Sequence, residues 1–158
     1  HLSTAFPDTR LKTYLEVRTA DCVVPSLICA LPALWKGILY DGTARAAAWD
    51  LVKRWSMGGR SEHRAAVARD ALDARTPCGH RTADLAVELL DIAAHGLVGA
   101  AGEGGGEEDE RVYLQPLEAL SRTARAPADR TLAWLDAAPR SEADVRGHYG
   151  DDLGGEAG

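Results

Sequence analysis

The sequence predicts an α+β chain that is mostly helical and carries one clear strand near its start. Alternating apolar and polar residues over 11–18 indicate the strand. Several later stretches repeat apolar residues at intervals of three and four, which is typical of helices. With 158 residues, of which 46% are apolar, the chain is long enough to form one hydrophobic core.

The predicted strand has two chemically different faces, because successive side chains point to opposite sides. The apolar face suits a core and carries Leu11, Thr13, Leu15 and Val17. The polar face carries three ionisable groups and consists of Lys12, Tyr14, Glu16 and Arg18. A single strand cannot form a sheet, so we expect its partners to come from another chain or from sequence preceding His1. A start at His1 rather than at methionine also leads us to expect a piece of a longer protein.

Two helices are predicted directly after the strand. Residues 25–39 are apolar on most sides and should form a buried helix, with a kink or break at Pro32. A turn is expected at 41–42. The second helix carries an apolar stripe over 47–55, and we expect the glycines at 58–59 to end it.

The remaining helices follow the same spacing rules. Ser61 is the expected cap of a third helix that runs toward Leu72, and Thr82 is the expected cap of a fourth. The fourth has the most regular amphipathic pattern, with Leu85, Leu89, Ile92, Ala93 and Leu97 on one stripe.

Less regular sequence surrounds and follows the last helical segments. The Gly- and Glu-rich stretch 99–109 is predicted to be a flexible loop. A short ordered segment is expected over 112–120 and a helix over 128–137. We therefore assign residues 1–138 to one folded unit and residues 139–158, which are rich in Gly, Asp and Glu, to a flexible tail.

Composition excludes several classes of function. The formal net charge of −6 argues against a nucleic-acid binder, which usually has a basic face, and against binding to acidic lipid surfaces. No apolar run is long enough to span a membrane, and no signal peptide precedes the strand. Cys22, Cys29 and Cys78 form no metal-binding spacing and are interpreted as reduced, packed thiols, which favours a cytoplasmic location.

Glu16 and Arg18 are the main candidates for chemistry. They lie two residues apart on the polar face, with Lys12 one further alternation before them. A carboxylate beside cations suits phosphate chemistry, because the carboxylate can hold Mg²⁺ and the guanidinium can bind phosphate or carboxylate oxygens. The same spacing also allows a simple ion pair on an exposed sheet face, so residue types alone leave both interpretations open.

Several stretches of the chain resemble one enzyme family. The run 1–21, HLSTAFPDTRLKTYLEVRTAD, is similar to a signature of glutamate–cysteine ligase in its plant and proteobacterial branch. The run 29–41, CALPALWKGILYD, resembles the helix that follows it there, and 47–55, AAWDLVKRW, extends the likeness. Shorter similarities occur at 113–118 and 126–129.

The resemblance implies a fold, an activity and a set of site residues. The fold is the mostly helical C-terminal part of a glutamine-synthetase-like ligase, with one or two strands of an incomplete antiparallel sheet. The activity is ATP-dependent ligation of the γ-carboxyl of L-glutamate to the amine of L-cysteine through a γ-glutamyl phosphate, the first step of glutathione biosynthesis. Arg18 is the implied catalytic cation, Glu16 the implied Mg²⁺ ligand, and Arg10 and Lys12 the implied substrate or phosphate contacts.

Two departures from the family pattern limit what the chain is expected to do alone. Cys22, Val23 and Val24 stand where the family has a Gly-rich turn, which changes the local loop. The catalytic sheet and most nucleotide-binding residues of the family precede the position that matches His1. We therefore expect the missing N-terminal part of the domain to be a required partner, and this chain to be inactive by itself.

Two alternatives remain open at this point. The chain could belong to a related carboxylate–amine ligase with another acceptor amine. It could also be a non-catalytic helical interaction or regulatory subunit of a split enzyme.

Overall fold

The computed structural model describes residues 8–18, 25–101, 109–137, 141 and 144. Within these ranges two short strands precede six α-helices. The strands are β1 (Thr9–Leu11) and β2 (Leu15–Val17), and the helices are α1 (Ala30–Tyr40), α2 (Gly42–Val52), α3 (Met57–Asp70), α4 (Thr82–Ala101), α5 (Gln115–Thr123) and α6 (Pro127–Asp136). The mostly helical α+β prediction is confirmed at this level. The predicted tail over 139–158 and most of the predicted loop over 99–109 lie outside the described residues.

The segment predicted as one strand over 11–18 is instead a hairpin. β1 and β2 pair antiparallel, and the register places Arg10 opposite Glu16 and Leu11 opposite Leu15. Residues 12–14 form the connection, where the Lys12 amide donates to the Tyr14 carbonyl at 2.8 Å. The prediction of a single uninterrupted strand was wrong because alternation is the same in a hairpin of this register and in a straight strand.

Helix α1 begins later than the sequence pattern indicates. Residues Pro25–Leu27 form a separate 3₁₀ turn, and α1 starts at Ala30. Pro32 therefore lies in the first turn of α1, where its missing N–H has no intrahelical partner to lose. The break expected at Pro32 therefore corresponds to the start of α1, which lies two residues before the proline. Ile38 is buried as predicted, whereas Ile28 is 58% exposed.

Helix α3 also begins at a different residue from the one predicted. The side chain of Ser56, not of Ser61, caps it by accepting a hydrogen bond from the Gly59 amide at 3.0 Å. Gly58 and Gly59 therefore lie in the first turn of α3 and do not terminate α2. Ser56 has the extended backbone typical of a helix cap and lies four residues beyond the end of α2, and α3 begins directly after it.

The position of this cap gives a stability prediction. Ser56→Ala removes the acceptor for one otherwise unpaired amide and should lower the free energy of unfolding by about 1 kcal/mol. Ser61→Ala, on the exposed side of the same helix, is the matched control and should change it by less than about 0.5 kcal/mol. Urea denaturation followed by circular dichroism measures both. Equal effects of the two substitutions would contradict the cap assignment.

Helix α4 lies at the centre of the fold. It packs against α1, α2 and α5, and the buried core combines its residues with α1 and the segment before α5. The core side chains are Ala33, Ile38, Leu90, Ala93, Leu97 and Leu114. Ala93 and Leu97 were predicted to lie on the buried stripe and do so. The helix continues through Ala101, three residues into the predicted loop.

Thr82 is the first residue of α4, and its side chain joins α4 to α3. Its hydroxyl donates to the Ala74 carbonyl at 2.9 Å and lies 2.9 Å from Nε2 of His63. Because the hydroxyl proton is directed at Ala74, Nε2 of His63 must carry the proton that it shares with Thr82. The Trp55 ring packs edge-on against His63 at 5.0 Å between ring centroids. Thr82 thus fixes α3 against α4, which differs from the capping role that we predicted.

Two surface properties complete the fold. Cys29 and Cys78 are free and exposed, so the prediction that these thiols pack in the interior was wrong, and Cys22 lies outside the described residues. No helix in the described ranges is both long and apolar enough to cross a membrane.

Candidate functional site

The polar face of the hairpin gathers all four residues that the sequence proposed for chemistry. Arg10 is on β1, Glu16 is on β2, Lys12 is in the connection and Arg18 follows β2 directly. The cross-strand register explains this arrangement, since it places Arg10 beside Glu16. We call these four residues the hairpin cluster.

Glu16 is the centre of the hairpin cluster. Its Oε2 accepts from Arg10 Nε at 2.9 Å and lies 2.7 Å from a second Arg10 guanidinium nitrogen. Lys12 Nζ is 3.7 Å from the same oxygen. Arg18 Nε is 3.7 Å from Oε1. Three cations therefore surround one carboxylate, and the cluster has a formal surplus of positive charge that favours anions.

The four side chains are partly accessible. Glu16 and Arg18 are 29% and 27% exposed, while Arg10 and Lys12 are 43% and 42% exposed. Lys12 also lies over the Tyr14 ring, 5.7 Å from its centroid. Screening by water limits what such ion pairs contribute to folding. Their partial exposure leaves the cations accessible to a ligand.

The charges shift the titration of Glu16. Its hydrogen bond with Arg10, together with the nearby charges of Arg10, Lys12 and Arg18, holds the pKa of Glu16 below its ordinary value, against a smaller opposing effect of desolvation. The charged form is thus the stable one at neutral pH. Because the pKa is lowered, the ion pairs are present above the ordinary range of a glutamate and are lost as the pH falls through the lowered pKa.

This shift can be measured directly. A carboxyl-carbon NMR titration of the chain should give Glu16 a pKa below the usual glutamate value. In Arg10→Gln the largest cause is removed, so the pKa of Glu16 should move back toward that value. An unchanged midpoint in Arg10→Gln would show that the Arg10 hydrogen bond does not govern the ionisation of Glu16.

Two further residues, Asp8 and Arg64, hold the base of the hairpin, and no pattern in the sequence indicates them. The Asp8 carbonyl accepts from the Arg18 amide at 2.9 Å. The Asp8 carboxylate accepts from Arg64 of α3 at 2.7 Å. The ion pair of Asp8 with Arg64 joins residues that are 56 positions apart, and no local pattern in the sequence indicates such a pair. Arg10, in contrast, lies one alternation before Lys12, so the pattern that groups Lys12 with Glu16 and Arg18 also includes Arg10.

The described residues limit how a metal could be bound. No group of three or more His, Cys, Asp or Glu side chains within them is arranged to hold an ion. Glu16 offers Oε1, which lies 3.7 Å from Arg18 Nε, whereas Oε2 is already engaged by Arg10. One carboxylate oxygen fits a Mg²⁺ that brings phosphate and water as its other ligands, and does not fit a metal held by these side chains alone.

Comparison with known proteins identifies the family. The family model described as Glutamate-cysteine ligase family 2 (GCS2) matches residues 1–150. Glutamate–cysteine ligase A, chloroplastic, of Oryza sativa subsp. indica is 36% identical over 132 residues, which cover 84% of this chain and 25% of the relative. The chloroplastic enzymes of Medicago truncatula and Arabidopsis thaliana are 35% and 36% identical over 133 residues, with 84% of this chain and 25% and 24% of the relatives covered.

These matches extend over most of the chain but over little of each relative. The chain spans about 25% of the length of the curated relatives that it matches. No solved structure gives a significant match. Since the family model covers nearly all of the sequence, the chain belongs to the glutamate–cysteine ligase family 2.

Proposed function

We propose that this chain supplies an anion-binding surface to an ATP-dependent ligase that joins L-glutamate to L-cysteine. The observation that carries the proposal is the hairpin cluster, in which three cations surround a single ionised carboxylate. Both reactants of the first chemical step, ATP and glutamate, are anions. Membership of the family supplies the reaction, and the cluster supplies side chains of the type that it needs.

The reaction requires two group transfers. The γ-carboxylate of glutamate attacks the terminal phosphorus of ATP, so that ADP leaves and γ-glutamyl phosphate forms. The cysteine amine then attacks the γ-carbonyl carbon, phosphate leaves, and the amine loses a proton. Negative charge develops on the transferring phosphoryl group, and a fixed guanidinium stabilises it. We assign this role to Arg18, and we assign binding of phosphate or of the glutamate carboxylate to Arg10 and Lys12.

Glu16 is the residue that we propose for Mg²⁺. When bound, the ion neutralises phosphate charge. Glu16 would hold it through one carboxylate oxygen, together with phosphate oxygens of ATP. The carboxylate of Glu16 has the charge that a ligand to Mg²⁺ needs, because it is ionised at neutral pH, as an ordinary glutamate also is. A cytoplasmic location also remains a prediction, and the free thiols of Cys29 and Cys78 are compatible with a reducing compartment.

The test is ADP release that depends on both amino acids, measured with the ligase polypeptide that contains this chain. Glu16→Gln keeps the shape of the side chain and removes its charge, and should lower kcat/KM by about a hundredfold. Glu62→Gln, at an exposed position on α3, is the matched control and should leave the rate within about twofold. The 158-residue chain alone should release no ADP.

The possible outcomes separate the candidate functions. Full activity of Glu16→Gln would refute the metal assignment. ADP release that requires glutamate and an amine other than cysteine would indicate a related carboxylate–amine ligase. No substrate-dependent release by the containing polypeptide would indicate a non-catalytic module.

A further inference from the structure

The side of the hairpin opposite the cluster is apolar and largely uncovered. It carries Thr9, Leu11, Leu15 and Val17, which we call the apolar hairpin face; Val17 is half-buried and the other three are exposed. Leu11 and Leu15 are directly paired across the strands. They are 79% and 58% exposed. Exposed leucines scattered over a surface are ordinary, but two that form one cross-strand pair on a two-stranded sheet make a continuous apolar surface.

Among the described residues, the helices do not cover that face. β1 and β2 pack mainly against each other, and neither has an extensive contact with a helix among the described elements. A side-chain link from the hairpin to the helices is the ion pair of Asp8 with Arg64, whose side chains are 51% and 75% exposed. A hairpin of two three-residue strands is only marginally stable in water without a further layer.

The identity of the face does not depend on the turn. The connection Lys12–Thr13–Tyr14 contains no Gly, Asn, Asp or Pro, the residues that usually specify a tight turn. If the segment straightened on pairing with another strand, odd-numbered residues would still share one side and even-numbered residues the other. In both conformations the two leucines lie on one side of the backbone and Glu16 lies on the other side.

We propose that the apolar hairpin face docks against the part of the ligase fold that lies outside this chain, an inference that rests on the proposed function. The occupant is an apolar layer supplied by the other three quarters of the enzyme, since the matched region is 25% of the relatives. Docking on this side leaves the hairpin cluster, on the other side, open to ATP and glutamate. The hairpin is then the element that joins the helical part to the remainder of the active site.

A second copy of this chain fits the face less well. Stable interfaces between separate proteins bury about 800 Å² on each partner and involve about 20–30 residues a side. The apolar hairpin face has four side chains, which is far below that size. Within one folded polypeptide the same small surface is sufficient, because covalent linkage keeps the two parts at high effective concentration.

Thiol labelling tests the proposal with two neighbouring positions. Leu15 and Tyr14 are exposed almost equally, at 58% and 57%, but they lie on opposite sides of the alternation. Leu15→Cys and Tyr14→Cys are each treated with a maleimide, and the labelled hairpin peptide is quantified by mass spectrometry, so that the native cysteines do not interfere. In the 158-residue chain the two positions should label at similar rates. In the ligase polypeptide that contains it, position 15 should label at least about tenfold more slowly than position 14.

Each other result overturns the proposal. If positions 14 and 15 of the ligase both label at the rates seen in the 158-residue chain, the apolar hairpin face stays open. Protection of position 15 in the chain alone that increases with its concentration would identify a second copy as the occupant. Leu11→Cys should repeat the result for Leu15→Cys, which guards against an effect of one substitution on folding. Labelling needs no turnover, so failure here leaves the ADP-release test of the proposed function unaffected.

Discussion

Gly96→Ala is expected to lower the free energy of unfolding by about 3 kcal/mol, at the upper end of the usual effect of overpacking a core. A Cβ atom at residue 96 would overlap the Gly37 carbonyl oxygen and would lie 2.8 Å from the Ala44 Cβ. Residue 96 is on α4, Gly37 is on α1 and Ala44 is on α2. One methyl group would therefore force three helices apart at their closest approach.

The closeness is reciprocal, which makes local relaxation difficult. A Cβ atom at Gly37 would overlap the Ala93 carbonyl oxygen. The atoms in the way are backbone atoms of neighbouring helices, and they cannot rotate aside as a flexible side chain can. Separation of α1 from α4 would loosen contacts around Ile38, Ala93 and Leu97 in the same core.

Gly58→Ala is the matched control for this prediction. Gly58 is also inside a helix, but its added Cβ would meet Ser56 Oγ at an ordinary 3.9 Å. Alanine is the better helix former by about 1 kcal/mol, so this change should leave stability equal or raise it. Thermal and urea denaturation should thus give effects of opposite sign. If both variants unfold together with the wild type, the helices do not approach each other as the structure has them.

Local spacing predicted the helices well where an apolar stripe determined them. α4 starts at Thr82, one residue earlier than a cap at that position implies, and α6 lies within a residue of the predicted 128–137 at each end. The pattern of α4 is regular because one face packs against the core, whereas α6 has no buried residue. The predicted start of α3 was wrong because two glycines normally end a helix. Here the Ser56 side chain caps the first turn of α3, which contains both glycines.

The hairpin cluster was predicted in composition but not in geometry. Alternation put Lys12, Glu16 and Arg18 on one side, and that grouping is independent of how the strand bends. The direct pairing of Arg10 with Glu16 depends on the register of the hairpin, which no local signal in residues 12–14 specifies. The ion pair of Asp8 with Arg64 joins residues that are 56 positions apart and depends on where α3 lies in the folded chain, which is a tertiary property.

The second large effect is expected in the catalysis of the ligase polypeptide that contains the chain. Arg18→Gln should lower kcat by about 10²–10³-fold with little change in the KM for ATP, because a cation that stabilises charge only in the transition state contributes to kcat. Lys12→Gln should instead raise the KM for ATP or for glutamate and leave kcat within a few-fold, because Lys12 is assigned to binding of phosphate or of the glutamate carboxylate. Initial rates of ADP release over ranges of ATP and glutamate concentration measure these constants.

Two further variants separate charge from geometry. Arg18→Lys keeps the positive charge but loses the planar, two-pronged contact, so its kcat should fall between those of the wild type and Arg18→Gln. Arg45→Gln removes a cation that donates to the Leu39 carbonyl at the end of α1, away from the hairpin, and should change neither constant by more than about twofold.

The division between kcat and KM decides the assignment of roles within the hairpin cluster. All three cations lie within 4 Å of Glu16, at 2.7 Å for Arg10 and 3.7 Å for Lys12 and Arg18, so loss of any one also changes the field at that carboxylate. A cluster that only held the hairpin together would respond alike to Lys12→Gln and Arg18→Gln, with parallel changes in both constants. A catalytic Arg18 beside a binding Lys12 requires that the two substitutions affect different constants.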